Sequence, residues 1–515
     1  KFQKRIRHSG KNGFIGQKFV GQAVNAVGFL RHFPFGINID MVGLAGRNLV
    51  HQFDTADLDQ TVPFRRFKTC CLRIQNDFSH KNTIRRYALE IKSLSDILSR
   101  QLRQGYGRGE QMEIKKVAVI GAGVMGSGIA AQIANAGTEV LLLDIVPKDA
   151  ADRDILAKSA IERMLKTDPA PLMHPKNARR IHAGNTEDHL KEIAGCDWIV
   201  EAVLENLDIK QKLYKRIEEF RKPTAVISSN TSSIPLHLLT EGRSDSFKKH
   251  FLITHFFNPP RYMRLLELVT SGETDPAVTK RISTFGDVAL GKGIVPCNDT
   301  PGFIANRIGA FWLQAGMNEA FNLGVSVEEA DAVMSRPVGI PKTGIFGLLD
   351  LVGIDLMPHL AKSLLSTLPA TDNYAAIHRD FDLVDKMIAD GYTGRKGKGG
   401  FYRLNKAGGK KVKESINLKT GDYAPSEKAA PPALEAFNKD GLRGLVSSTD
   451  KAGQYAWQVL SQTLCYAADL VPEIADNIFA VDQAMKLGYN WSKGPFELMD
   501  ALGTAWLVEK LAEED

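Results

Sequence analysis

The sequence predicts an α/β chain: a Rossmann-type domain over residues 112–299, followed by two repeated all-α modules at 300–402 and 432–515, with a linker at 403–431 between them. Three observations carry this. An apolar strand, Val117-Ala118-Val119-Ile120, runs straight into Gly121-Ala122-Gly123-Val124-Met125-Gly126 and an apolar helix. Strand and helix patterns then alternate to about Asp299, as in an open parallel sheet. Beyond that point the pattern is helical, and short sequence words recur at an offset of about 150 residues.

In the first of these stretches each glycine has a separate task. Gly121 permits the tight turn, Gly123 lets a pyrophosphate approach the backbone, and Gly126 lets helix and strand pack closely. The open N–H groups and positive dipole end of the helix suit phosphates. A second strand, Glu139-Val140-Leu141-Leu142-Leu143, ends at Asp144, 18 positions after Gly126. A carboxylate there meets the adenosine ribose hydroxyls and repels a 2′-phosphate, so the site favours NAD over NADP. Strand, glycines, helix, second strand and acid fall in order within about 30 residues, which a chance glycine-rich turn does not reproduce.

The chain has 515 residues, enough for about three cores. Its net charge of +7 is unevenly placed. Residues 1–111 hold 19 basic and 8 acidic residues, net +11, which leaves 47 and 51, net −4, for the rest. The basic excess therefore gives no argument for nucleic-acid binding by the remainder. No apolar run reaches the length of a membrane span. Five cysteines without metal spacing (Cys70, Cys71, Cys196, Cys297, Cys465) suggest unpaired thiols in a reducing compartment.

Residues 1–111 scatter Phe and Arg without a sustained period and carry no targeting signal. They read as translated upstream DNA or a non-functional extension, with a small basic appendage as the rival reading. Met112, just before Glu113-Ile114-Lys115-Lys116, is a natural start for the first strand. After Asp144 the pattern predicts a helix from Pro147 to Lys166, a Pro-broken stretch at 168–171, a strand at Trp198–Val203, a helix at Lys210–Phe220, and strands at 225–229, 251–254 and 265–269. Helices are expected at 303–323, 327–334 and 346–365. Asp331-Ala332-Val333-Met334 is echoed by Asp482-Gln483-Ala484-Met485, and Phe346-Gly347-Leu348-Leu349-Asp350 by Phe496-Glu497-Leu498-Met499-Asp500. Two copies of one helical module burying apolar faces against each other would explain the echo. The chain stops at Asp515 in a charged helical stretch without an obvious cap, which suggests a second module cut short.

Ligands of an open α/β sheet bind beyond the carboxyl ends of its strands. Ser232, His255 and Asn258 all follow strand patterns and can gather there. Oxidising an alcohol with a nicotinamide needs a base for the hydroxyl proton, and histidine suits it near neutral pH. A carboxylate that fixes the imidazole tautomer completes such a base, and Glu267 on the next strand is available. Ser232, Asn258 and Asn306 can orient substrate oxygens. From spacing alone, His255 is one of twelve histidines, Glu267 is equally readable as a structural ion-pair partner, and Ser232 as a helix cap.

Gly121–Gly126, Glu201-Ala202-Val203-Leu204-Glu205-Asn206, Ser229-Asn230-Thr231-Ser232-Ser233, His255-Phe256-Phe257-Asn258-Pro259 and Asp299-Thr300-Pro301-Gly302-Phe303-Ile304-Ala305-Asn306-Arg307 together resemble L-3-hydroxyacyl-CoA dehydrogenases over about 114–515. Asn258-Pro259-Pro260-Arg261-Tyr262 and the tandem modules are similar to the dehydrogenase part of bacterial fatty-acid oxidation enzymes that carry an enoyl-CoA hydratase domain after it. The resemblance implies His255 as base, Glu267 as its orienting carboxylate, and Ser232 and Asn306 on the substrate oxygens. It implies Gly121, Gly123, Met125, Gly126, Asp144, Val203, Leu204, Glu205, Lys210, Ser232 and Asn258 at the NAD cofactor, and no metal. It further implies an acyl-CoA substrate, β-oxidation in the cytoplasm, and a monomer or homodimer, since paired modules can satisfy the family's dimer surface internally, and it leaves open whether a hydratase domain follows residue 515. Two rival readings keep the scaffold: a non-catalytic NAD-binding or structural protein, and an NAD-linked sugar-acid dehydrogenase.

Overall fold

The computed structural model describes residues 113–406 and 409–513; the readings of 1–111 lie outside them. Eight strands form one sheet: β1 (Lys116–Ile120), β2 (Glu139–Asp144), β3 (Ile181–Asn185), β4 (Trp198–Glu201), β5 (Val226–Ser229), β6 (Phe251–Phe256), β7 (Leu265–Val269) and β8 (Gly293–Cys297). Their order is β3-β2-β1-β4-β5-β6-β7-β8. All neighbours are parallel except β6 and β7, which run antiparallel and place His255 opposite Glu267. The chain order reverses between β1 and β4, the point where a doubly wound sheet opens a crevice. Central strands are buried on both faces, β1 and β4 almost throughout, because helices cover the sheet on each side.

The helices that matter below are α1 (Val124–Asn135), α2 (Ile155–Lys166), α3 (Leu207–Phe220), α4 (Pro276–Thr284), α5 (Ala305–Leu323), α6 (Val327–Val333), α7 (Phe346–Val352), α8 (Lys451–Asp469), α9 (Ile478–Gly488) and α10 (Pro495–Leu502). In the helical part α5 and α8 lie against each other, with Phe311 stacked on Tyr466 at 4.0 Å between ring centres. The echoed aspartates do the same work in each half. Asp331 accepts the N–H groups of Phe346 and Gly347 at the start of α7, and Asp482 accepts that of Phe496 at the start of α10. Each is a cap supplied from the preceding helix to orphan donors of the next.

Several expectations change. Residues 403–431 are not a featureless linker: β9 (Tyr402–Asn405), β10 (Val412–Ile416) and β11 (Tyr423–Pro425) form an antiparallel sheet ordered β11-β10-β9 between the two helical modules. Strands of three to five residues are too short to show a period. Cross-strand pairs hold them instead, such as Arg403 with Glu414 at 2.7 Å. The helix expected at 147–166 starts only at Ile155, since Asp149 at φ +57° turns the chain. The helix expected at 346–365 breaks at Gly353 (φ +112°) into Phe346–Val352 and Leu356–Thr367. Edge strands β3 and β8 were not expected: one holds His182 and Gly184, the other Gly293 and Pro296.

Candidate active site

The glycine loop has the shape its sequence demands. Gly121 sits at φ +107°, donates its N–H to Leu143 O at 2.7 Å, and a Cβ there would stand 2.4 Å from Ala202 O. A Cβ on Gly126 would stand 1.8 Å from Gly121 O, so helix and turn touch backbone to backbone. Gly123 is different: it is exposed, and a Cβ on it would meet nothing within 4 Å. The chain itself makes no use of that space, which is what a phosphate approaching the start of α1 requires. At the end of β2, Asp144 accepts Ala122 N–H at 2.6 Å and Ile145 N–H at 2.7 Å, so its carboxylate is fastened beside the loop.

On the far side of the crevice the strand β4 ends at Glu201, fully buried. One of its oxygens accepts from Lys210 Nζ at 2.7 Å and Val203 N at 2.8 Å; the other accepts from Tyr214 OH at 2.5 Å and Ser229 Oγ at 2.6 Å. This carboxylate organises the turn that carries Val203 and Leu204. Leu204 is left 75 % exposed and Met125 is half-buried. Glu205 accepts from Thr231 Oγ1, Ser232 N at 3.1 Å, and Ser233 N and Oγ, while Lys210 Nζ lies 3.2 Å from its other oxygen. Burial alone would push the Glu205 carboxyl up, but Lys210 and these donors outweigh it and hold it below its ordinary value. Lys210 is itself 1 % exposed, with its ammonium engaged by both acids. It bears on the crevice through Glu205.

The centre of the site is built by the β6–β7 register. His255 Nδ1 lies 2.7 Å from Glu267 Oε2, both side chains buried. A carboxylate only accepts, so Nδ1 carries a proton, and the neutral ring in this tautomer has its lone pair on Nε2. The other oxygen, Glu267 Oε1, accepts Ile304 N at 3.2 Å and Ala305 N at 2.9 Å. One side chain therefore fixes the imidazole and caps α5, whose second residue is Asn306. The edge of the His255 ring meets Phe257 (4.7 Å between centres) and it lies beside Phe303 at 5.5 Å. Gly302 and Phe303, at φ +77° and +50°, bend the chain into α5, and Gly302 N donates to Ser232 O at 3.2 Å. Ser232 is thus tied to the acid Glu205 on one side and to the Asn306 segment on the other. Asn258 is exposed at the end of β6, on the turn that follows.

His255 and Glu267 are in direct contact; Ser232 is joined through its backbone to Glu205 and Gly302, and Asn306 follows the Glu267-bound Ala305; Gly121, Gly123, Gly126, Asp144, Val203, Glu205 and Asn258 lie at or just beyond the carboxyl ends of β1, β2, β4 and β6. Glu201 and Asn230 were not singled out from sequence. Asn230 accepts Phe256 N at 2.9 Å and its own N–H meets Glu201 O, locking β5 to β6 beside His255. A buried acid closing an apolar strand, followed at the end of the next strand by Ser-Asn-Thr-Ser, was the available signal. Among the described residues no group of His, Cys, Asp and Glu forms a metal site, and no helix is long and apolar enough to cross a membrane.

A doubly wound sheet with a glycine loop at its switch point and a carboxylate-held imidazole further along the same sheet defines a dinucleotide-binding protein of the oxidoreductase type. Residues 116–300 match the NAD binding domain of 3-hydroxyacyl-CoA dehydrogenase and 302–404 match its C-terminal domain. A Deinococcus radiodurans protein named as a 3-hydroxyacyl-CoA dehydrogenase is 46 % identical over 57 % of this chain and 84 % of its own length. A Rickettsia felis protein named as a fatty acid oxidation complex trifunctional enzyme is 46 % identical over 76 % of this chain and 53 % of its own. The Escherichia coli 3-hydroxybutyryl-CoA dehydrogenase structure superimposes with a TM-score of 0.58 at 22 % identity, covering 78 % of this chain and 95 % of that one, a likeness of fold. The chain belongs to the 3-hydroxyacyl-CoA dehydrogenase family and carries its NAD-binding domain. It spans about half the length of the first curated relatives it matches.

Proposed function

We propose that this chain oxidises (3S)-3-hydroxyacyl-CoA to the 3-oxoacyl-CoA with NAD, as a step of fatty-acid β-oxidation. The observation that carries the reading is the Glu267–His255 pair, whose geometry leaves a basic Nε2 at the carboxyl edge of a dinucleotide-binding sheet. His255 Nε2 takes the proton of the 3-hydroxyl while the C–O bond becomes a carbonyl. Bound NAD supplies the acceptor for the hydride that leaves C3. Glu267 holds the tautomer and steadies the imidazolium as it forms; a positioned base of this kind supplies roughly 10²–10⁴ in rate. Ser232 and Asn306 hold the 3-oxygen and the thioester oxygen.

Gly121, Gly123 and Gly126 give the pyrophosphate its seat, and Asp144 takes the adenosine ribose and disfavours a 2′-phosphate. Val203, Leu204, Met125, Glu205 (held by Lys210) and Asn258 line the remaining cofactor surface. The empty space at Gly123 and the apolar exposure of Leu204 support that fit. We further read the chain as a cytoplasmic enzyme, with α5 and α8 packed as an internal pseudo-dimer that favours a monomer over a homodimer, and with a fused hydratase in the intact protein; that the Rickettsia felis relative is named as a trifunctional enzyme supports more than one activity on one chain.

His255→Gln tests the reading. NADH binding should persist while acetoacetyl-CoA-dependent NADH oxidation falls by about 10³-fold or more. Loss of both together would make His255 structural and sink the proposal.

A further inference from the structure

The turn after the catalytic strand, residues 257–264, is held from beneath by a lysine that the reaction as described leaves unused. Lys292, 3 % exposed, sits between α4 and β8. Its ammonium donates to Pro260 O and, at 2.6 Å, to Met263 O, and lies 5.6 Å from the centre of the Phe256 ring. Among the described residues no carboxylate pairs with it, and burial pulls its pKa down to about 8. A cation buried against neutral dipoles is costly, and a methionine of similar length would avoid that cost. What a methionine cannot do is satisfy two inward-facing carbonyls that no strand partner reaches. The turn is gripped on its other side as well. Pro260 lies where a Cβ of Gly128 on α1 would be, 2.8 Å from its Cδ. Arg261 Nη1 donates to Leu172 O at 3.1 Å, and Tyr262 OH to Ala170 O at 3.0 Å. So the segment carrying Asn258 is wedged between the nucleotide-facing helix and the Lys292 ammonium.

We propose that Lys292 is a positioning residue of the cofactor site: by binding the Pro260 and Met263 carbonyls it fixes turn 257–264 against α1 and thereby sets where Asn258 stands. This rests on the reading of Asn258 as a cofactor contact. The test is a double-mutant cycle on NADH affinity, by fluorescence titration of the full chain, with Lys292→Met, Asn258→Ala and the pair. Each single change should weaken NADH binding about tenfold, and the double should be no weaker than the worse single, since both remove the same contact. Lys292→Gln, which keeps an N–H for one carbonyl, should fall between wild type and Lys292→Met. Unchanged affinity in Asn258→Ala would overturn the reading of Asn258 itself. Normal affinity in a folded Lys292→Met beside a weakened Asn258→Ala would overturn the lysine's role, as would strictly multiplicative effects. Failure of both Lys292 variants to fold would assign the lysine to the fold as a whole and also overturn it.

Discussion

Replacing Glu267 by Gln separates the two tasks of that side chain and gives a magnitude that follows from its hydrogen bonds. The amide is isosteric, so it can still accept Ile304 N–H and Ala305 N–H, now held at 3.2 and 2.9 Å. If it does, its NH₂ faces His255 Nδ1, which must then become an acceptor; the ring proton moves to Nε2 and the base is lost. The opposite flip keeps the competent tautomer but turns the NH₂ onto two backbone N–H groups in a site with no solvent. Two buried donors left unpaired cost about 2–6 kcal/mol. That sum sets the bias toward the incompetent tautomer, equivalent to about 30- to 10⁴-fold. We therefore expect kcat for NADH oxidation with acetoacetyl-CoA to fall about 30- to 10⁴-fold, with NADH affinity unchanged. The lost charge at the start of α5 should lower stability by only about 0.5–2 kcal/mol. A kcat within threefold of wild type would refute the tautomer argument; a parallel loss of NADH binding would mean that Glu267 builds the crevice rather than the base.

Two further outcomes are expected. Gly123→Ala should fold as wild type, because the added Cβ meets nothing and the residue is at φ −67°, yet it should weaken NADH binding by at least about tenfold by occupying the phosphate's approach; an unchanged dissociation constant, measured beside an unchanged melting temperature, would place the pyrophosphate elsewhere. Burial raises Asp331 to about 7 despite the Phe346 and Gly347 N–H groups and the Tyr402 hydroxyl. The folded chain then holds a proton that the unfolded chain releases near pH 4, so this contribution is full below about pH 4 and is lost as pH rises through about 7, by roughly 4 kcal/mol at most. Denaturant titrations at pH 5 and pH 8 should show wild type losing stability relative to Asp331→Asn across that interval, and parallel behaviour of the two proteins would refute the raised value.

The glycine loop and the acid beside it were legible because their backbone requirements are local. Gly121, Gly123 and Gly126 state their backbone needs within six residues, and Asp144 follows at a spacing fixed by one helix and one strand. The same locality exposed the echo of Asp331 at Asp482, since each aspartate caps a helix only about 15 residues ahead. Where stabilisation comes from cross-strand pairs that no period or repeated word marks, the pattern was silent. The β9–β11 sheet depends on pairs such as Arg403 with Glu414 and Tyr423 with Gly400. Edge strands β3 and β8, paired on one side only among the described residues, tolerate Gly184, Gly293 and Pro296 and so lack the apolar run that marks a central strand.

By itself the sequence determined which groups exist for the chemistry: a phosphate-accepting turn, an imidazole closing one strand, and an acid within the next. These depend on residue type and short spacing, which composition and period record directly. Only the tertiary structure decided how the groups are shared. The antiparallel turn of β7 against β6 sets Glu267 opposite His255, and the bend at Gly302–Phe303 brings the Ile304 and Ala305 N–H groups to the same carboxylate. Likewise it is packing, through α1, β8 and a buried ammonium, that seats turn 257–264. Such arrangements arise because buried donors and acceptors must find partners wherever the fold delivers them, and no local pattern encodes which ones arrive.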